Sequence, residues 1–295
     1  MSDIAERVAA VFADAGATGW LHATAVDGTA EVDVDADRPV AIASVYKLPL
    51  LVAMMRMVDR DDLDPTERVT LSPRDRTAGL TGISTLMDDV TMSWRDLAAM
   101  MMSVSDNAAA DAILQRVGVE EVGAALQQLG MTRSRILGGT ADAYSRLHID
   151  TGTTDLAAAM KALEDTDRPI DPRAYDPLQA SSATAREMTS LLSAVWTDRA
   201  ASAAGCEFIR TLMSRQVRAN RLASGFAFPG VAVAGKTGTL GALRHEVGVV
   251  HYDGENPYTV AVFTQSARAA TIQPRIDTAI GLAARLAVDH LRSNS

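Results

Sequence analysis

The chain has 295 residues, of which 47% are apolar and 22% charged, with a net charge of −9. That balance suits a globular protein with a sizeable core, and it argues against nucleic acid and anionic lipid, both of which call for a basic surface. The chain opens without the basic start, apolar run and small-residue cleavage site of a leader, and its longest apolar stretch, Leu48 to Met55, is too short to span a bilayer; a cytoplasmic location is expected.

Ile4, Val8, Val11 and Phe12 recur at helical spacing, with Ser2 or Asp3 as cap. Trp20 to Val26 and Thr29 to Val34 read as strands around the hairpin signal Asp27-Gly28. From Val45 to Val58 the pattern turns helical. Ser93-Trp94-Arg95-Asp96 has the form of a capping box opening a Met-rich helix, Leu97 to Met102, whose methionines read as core filling. Ala108 to Val117, Glu120 to Leu129, Thr153 to Leu163 and Ala185 to Trp196 continue the helical block, while Arg168 to Pro177 predicts an exposed loop. Cys206, the single cysteine, reads as a small buried apolar side chain. Strands return at Val231 to Ala234, Glu246 to Tyr252 and Pro257 to Thr264, the last two around Asp253-Gly254. Ile276, Ile280, Ala283 and Leu286 share one face of a closing helix. Strands at both ends and helices between them predict an α/β fold of the α+β kind. One antiparallel sheet with terminal helices is expected from residues 1–42 and 208–295, an all-helical domain from residues 43–207, and a cleft between the two.

Only three lysines occur, Lys47, Lys161 and Lys236, and two of them close or open short motifs. Arginine cannot lose its proton in a protein, whereas a buried lysine can become a neutral base. Lys47 closes Ser44-Val45-Tyr46-Lys47, which places a hydroxyl and an amine one helical turn apart where an extended segment becomes a helix. A base there would turn the weak Ser44 nucleophile into a strong one. Ser105-Asp106-Asn107 lies between two helices. Taken alone it is a helix cap, with Asp106 or Asn107 capping the helix from Ala108; functionally, Ser105 would relay a proton, Asn107 would grip substrate or Lys47, and Asp106 would brace the turn. Lys236-Thr237-Gly238-Thr239 ends a predicted strand. Alone it is a strand terminus with a turn glycine. Functionally, Lys236 and Thr237 would bind a carboxylate, Gly238 would admit a ligand close to the backbone, and the N–H of Thr239 would join that of Ser44 in an oxyanion hole.

In this order, S-x-x-K, S-D-N and K-T-G are the three-part signature of serine enzymes that acylate themselves with β-lactams. Over nearly its whole length the chain resembles the class A β-lactamases and related penicillin-recognising serine hydrolases. The resemblance includes Thr153-Thr154-Asp155-Leu156, similar to the start of the helix after the family's Ω loop. Gly238 to Val250 looks more like the β-lactamase-related hydrolases than like secreted resistance enzymes. The resemblance implies a five-stranded antiparallel sheet with terminal helices beside an all-helical domain. It also implies Ser44 as nucleophile, Lys47 as base, Ser105 and Asn107 as second-motif residues, and Lys236 and Thr237 as carboxylate anchors. One departure is plain. The Ω-loop glutamate and asparagine that hold the deacylating water in class A enzymes have no counterpart in residues 136–154, whose only acids are Asp142 and Asp150. Either aspartate could be a solvated loop residue, and Tyr144 and His148 are possible substitutes.

Arg244 is either a second carboxylate-binding cation or a surface residue. His245, Glu246 and His251 have no metal-ligand spacing, so no metal or other cofactor is expected. His22 and His290 read as surface or packing residues. The expected protein is a monomeric serine hydrolase that opens a β-lactam or a related amide or ester in a small molecule. The alternatives are a slowly deacylating penicillin sensor and an esterase or peptidase acting on a cytoplasmic metabolite.

Overall fold

The computed structural model describes residues 3–28 and 30–294. Ser2, expected as a cap, and Thr29, expected to open the second strand, lie outside the described residues. Helix α1 (Asp3–Ala15) leads into a hairpin of β1 (Ala17–Ala25) and β2 (Glu31–Val34). A two-residue strand, β3 (Val40–Ala41), then delivers the chain to α2 (Lys47–Asp59). A small hairpin, β4 (Arg68–Leu71) with β5 (Val90–Ser93), precedes the helices α3 (Trp94–Ser103), α4 (Asn107–Val117) and α5 (Val119–Gln128). Two further helices, α6 (Thr140–Thr151) and α7 (Leu156–Glu164), precede the short β6 (Ser182–Ala183) and the helices α8 (Ala185–Trp196) and α9 (Ala203–Ser214). The chain closes with β7 (Val231–Leu240), β8 (Leu243–Tyr252), β9 (Tyr258–Ser266) and α10 (Pro274–Ser293).

The sheet order is β2-β1-β9-β8-β7, antiparallel throughout, so the first hairpin docks beside the last strand and the chain ends meet as expected. β8 is buried on both faces, and its pleat divides it between two cores. Val247 and Val249 join the larger cluster with α2, α3, α4, α8 and α9, whereas Val250 joins α1 and α10. Cys206 is buried in that larger cluster. The helix α9 runs through residues 207 and 208, where the expected domain boundary falls.

Local signals hold where they act over one turn. Ser93 Oγ accepts from Asp96 N at 3.3 Å as the cap of α3 and donates to the Asp96 carboxylate at 2.7 Å, although the helix opens at Trp94 rather than Leu97. Asp155 accepts from Ala158 N at 2.8 Å and caps α7. Three expectations are corrected. The stretch 136–154, aligned with an Ω loop, folds largely as α6. Its sequence has a cap, because the amide of Gly139 donates to Asp142 Oδ2 at 2.9 Å. Lys236-Thr237-Gly238-Thr239 does not end a strand but lies inside β7, paired along its length with β8. Arg168 to Pro177 is not wholly exposed: Pro172 and Ala174 are buried, and Arg173 is bonded through its backbone and side chain to Asp150 at 2.8 and 2.6 Å. His22 is buried, held by Thr189 at 2.6 Å and Glu31 at 3.0 Å, while His290 is exposed.

Behind β7 and β8 a buried ionic knot ties the sheet to α10. Asp277 accepts from Arg221 Nε at 2.7 Å, Arg244 Nη1 at 3.1 Å and Asn220 Nδ2 at 3.0 Å. Arg221 also donates to the carbonyls of Gly238 and His245, both at 2.8 Å, and to Thr239 Oγ1 at 2.7 Å. Replacing Asp277 with Ala strands two buried guanidiniums, and we expect a loss of about 3–5 kcal/mol in urea unfolding. A loss within 1 kcal/mol, roughly that of a surface pair, would show that the knot is not holding the sheet.

Candidate active site

Ser44 sits in the 3-10 turn Ala43–Tyr46 that precedes α2. Ala43 just before it has φ +44°, a left-handed conformation that a side chain adopts at a cost, so the turn is held from outside. The restraints are visible: Ile42 N bonds Ser181 O at 3.1 Å, β3 pairs with β6, and Val45 N bonds Ile42 O at 3.0 Å. Gly238 on β7 faces this turn. A Cβ there would lie 2.6 Å from the Ile42 carbonyl oxygen and 3.2 Å from Val45 N. The group that approaches Gly238 closely is thus the chain's own backbone beside Ser44.

Lys47 and Lys236 are fully buried beneath the cleft floor, and both reach Ser105. Lys47 Nζ donates to Ser105 O at 2.8 Å, Asn107 Oδ1 at 2.9 Å and Asp106 O at 3.3 Å, with Ser105 Oγ at 3.4 Å. Lys236 Nζ donates to Ser105 Oγ at 2.9 Å and to Thr237 O at 2.8 Å. Desolvation lowers the Lys47 pKa to about 7, opposed by the charges of Asp111 and Asp106. Lys236 is pushed well below the ordinary lysine value, first by burial and then by the charge of Lys47.

The turn that carries Ser105 is itself pinned. Ser105 has φ +59°, and Asp106, fully buried, accepts from Ala109 N at 3.2 Å as the cap of α4. Its carboxylate also takes Ser84 Oγ at 3.0 Å and Ile83 N at 2.5 Å. Asp106 therefore braces the turn, as the sequence suggests, and Asn107 grips Lys47. The Asn107 Nδ2 donates to Ala78 O at 3.0 Å and to the Tyr144 hydroxyl at 3.1 Å.

Ser44, Ser105, Asn107, Thr237, Thr239 and Arg244 all line one cleft of about 1060 Å³. Thr237 N is held by Gln216 Oε1 at 2.6 Å, and the same amide donates to buried Glu246 at 2.7 Å, whose pKa burial raises. Arg244 is no surface residue. It is buried, with Nη1 on Asp277 and Nη2 on the carbonyls of Ala270 and Thr271 at 3.2 and 2.7 Å; its Nε has no partner among the described residues. His245 donates Nε2–H to Ala41 O at 2.9 Å and accepts from Thr264 N at 3.1 Å; burial holds its pKa near 3, so it stays a neutral latch between the sheet and β3.

Sequence reasoning missed Asp111, Gln216 and Arg221. Asp111 lies one turn after Asn107 on α4 and accepts from Tyr46 Oη, Thr77 Oγ1, Thr140 N and Ala141 N, which ties α6 to the site. The i, i+4 spacing with Asn107 is a usable signal; Gln216 and Arg221 carry none, because their partners lie on distant strands. Among the described residues no group of three or more His, Cys, Asp and Glu side chains could hold a metal ion.

The family model described as the beta-lactamase enzyme family matches residues 3–291. A curated relative, the beta-lactamase regulatory protein BlaB of Streptomyces cacaoi, is 30% identical over 289 residues, covering 89% of each chain. The crystal structure of a β-lactamase from Sphaerobacter thermophilus is 24% identical with a TM-score of 0.77, covering 98% of this chain and 97% of that one. A mutant of PBP-A in acyl-enzyme complex with penicillin G is 20% identical with a TM-score of 0.78, covering 99% and 97%.

Gly238→Ala should separate β7 from the Ser44 turn while leaving the cores intact. We expect reaction at Ser44 to fall at least roughly tenfold, with a stability change of about 1–3 kcal/mol for the added methyl. Unchanged reactivity, measured on the folded variant, would mean that the close approach does not set the geometry of Ser44.

Proposed function

The chain belongs to the β-lactamase enzyme family, and from that premise we propose that it is a serine hydrolase in which Ser44 opens a β-lactam, or a related amide or ester, through an acyl-enzyme. The observation that carries this reading is the meeting of Lys47 and Lys236 at Ser105 under the cleft that Ser44 lines. In this reading the cleft lies between an α/β lobe, residues 1–42 and 208–295, and a helical lobe, residues 43–207, a boundary that falls within α9.

Lys47 in its neutral form takes the Ser44 proton as the oxygen attacks the substrate carbonyl. The N–H groups of Ser44 and Thr239 hold the oxyanion. Ser105 passes a proton to the departing nitrogen or oxygen, drawing on the lysine amines at its hydroxyl. Lys236 and Thr237 take the substrate carboxylate. A lysine whose proton affinity is depressed regains it when an anion arrives, so binding draws a proton onto Lys236.

A second reading, a protein that acylates and releases slowly, is favoured by the wall facing the site. Asp142 accepts from the amide of Gly139 and Asp150 pairs with Arg173, and neither lines the cleft. Tyr144 faces the cleft instead. Burial raises its pKa, and a phenol that keeps its proton donates a hydrogen bond but is no base at neutral pH. The Streptomyces cacaoi relative, a β-lactamase regulatory protein, is consistent with this.

Intact-protein mass spectrometry with benzylpenicillin tests both. The wild type should gain the mass of the drug and Ser44→Ala should not; equal labelling of both would sink the Ser44 assignment. A label that appears and decays means hydrolysis, and one that outlasts removal of free drug means the slow-release reading. The acylation rate should rise about tenfold per pH unit below a midpoint near pH 7 and then level, because the proton that leaves Lys47 there frees the base. Lys47→Arg, which cannot deprotonate, should cost about 10²–10⁴ in rate. A rate that falls with rising pH through 7 would exclude Lys47 as the base.

A further inference from the structure

The cleft wall carries charge that the reaction above does not use. Arg244 is held by Asp277, whose carboxylate it shares with Arg221. Glu164, the only carboxylate lining the cleft among the described residues, accepts from Thr271 N at 2.9 Å and Thr271 Oγ1 at 3.1 Å. The remaining charged side chains on the wall are Arg146, Lys161 and Arg218, none of them in an ion pair among the described residues. In a chain of net charge −9 this is a local reversal of sign, and a cleft with low-dielectric walls focuses such a field.

These three cations divide into two groups. Arg218 belongs to the β7 side, two residues beyond the Gln216 that holds Thr237, and its charge acts on Lys236. Arg146 is on α6, in the segment expected as an Ω loop, and Lys161 is on α7, the helix expected after it. Besides these cations, Glu164 and Thr140, the wall on that side is a tyrosine and apolar side chains. Tyr144, Leu156 and Met160 pack with Leu240 and with Ala43, the residue before Ser44. A substrate carboxylate at Lys236 and Thr237 leaves the acyl side of the scissile bond to run along this apolar stretch toward Arg146 and Lys161.

We propose that Arg146 and Lys161 form a subsite for a second anionic group, carried on the acyl part of the substrate beyond an apolar spacer. The preferred substrate is thus a dianion, with one negative group on each side of the carbonyl that Ser44 attacks. The wall pairs two cationic heads with a hydrocarbon surface, a combination that favours such a chain over a purely aliphatic or a zwitterionic one. This inference rests on the Ser44 reading for the direction in which the substrate lies.

The test uses two penicillins that differ by one carboxylate on the acyl side chain, benzylpenicillin and carbenicillin. Affinities are measured by calorimetry on the Ser44→Ala protein, which binds without acylation, at low and at 0.5 M salt, the latter chosen as roughly the level at which exposed charges are screened. Two exposed ion pairs should make carbenicillin roughly fivefold tighter at low salt, with the advantage shrinking at high salt. The Arg146→Gln, Lys161→Gln double substitution in the same background should bring the ratio to about one. Equal affinities, weaker or no binding of the dianion, or a preference that survives the double substitution would overturn the subsite. Failure of the Ser44 reading is separate, since it appears as missing label on the wild-type protein whatever the affinity ratio.

Discussion

Two lysine amines, neither exposed to water, meet at the hydroxyl of Ser105, and much of the surrounding structure serves to keep them there. Removing a cation from water is costly, so burial lowers the proton affinity of both, and the charge of Lys47 lowers that of Lys236 further. Folding therefore works against this pair at neutral pH and has to recover the cost elsewhere. The recovery is structural: Asp106 fixes the Ser105 turn through three donors, and Arg221 ties the strand carrying Lys236 to its neighbour and to α10. The same logic explains the left-handed conformations at Ala43 and Ser105. Each is a local cost that persists because the packing around it leaves no alternative.

The wall opposite is built differently. With α6 in place of a loop, Asp142 and Asp150 are drawn into capping and ion pairing, and α6 and α7 turn to the cleft a tyrosine, apolar residues, Thr140, Glu164 and two cations that form no ion pair among the described residues. The floor thus gathers Ser44, Lys47, Ser105 and Lys236, while neither Asp142 nor Asp150 lines the wall. The chain is similar both to a β-lactamase in fold and to a regulatory protein in sequence.

Reading the sequence worked where a rule spans one turn. Ser93 with Asp96, Asp155 at the start of α7 and the two Asp-Gly hairpins depend on neighbours within a few residues, so composition and spacing reveal them. The helix α6 was hidden because residues 136–154 resemble a loop in alignment, while its cap, Asp142 on Gly139, uses a glycine that has no side chain to signal it. The strand end expected at Lys236 was hidden for the opposite reason. Gly238 reads as a turn residue, but it is there so that the Ile42–Val45 backbone can lie against the strand.

The sequence by itself determined the three motifs, their order, the elements that carry two of them and the meeting of the chain ends in one antiparallel sheet. These follow from side-chain chemistry and from periodicities set by helix and strand geometry. Only the tertiary structure decided that Lys47 and Lys236, 58 and 131 residues from Ser105, share its hydroxyl, and that Arg244 is spent on Asp277. Proton affinity, the state of a carboxylate and the sign of a cleft depend on burial and on partners drawn from distant segments. Those are properties of the packed chain, which no local spacing encodes.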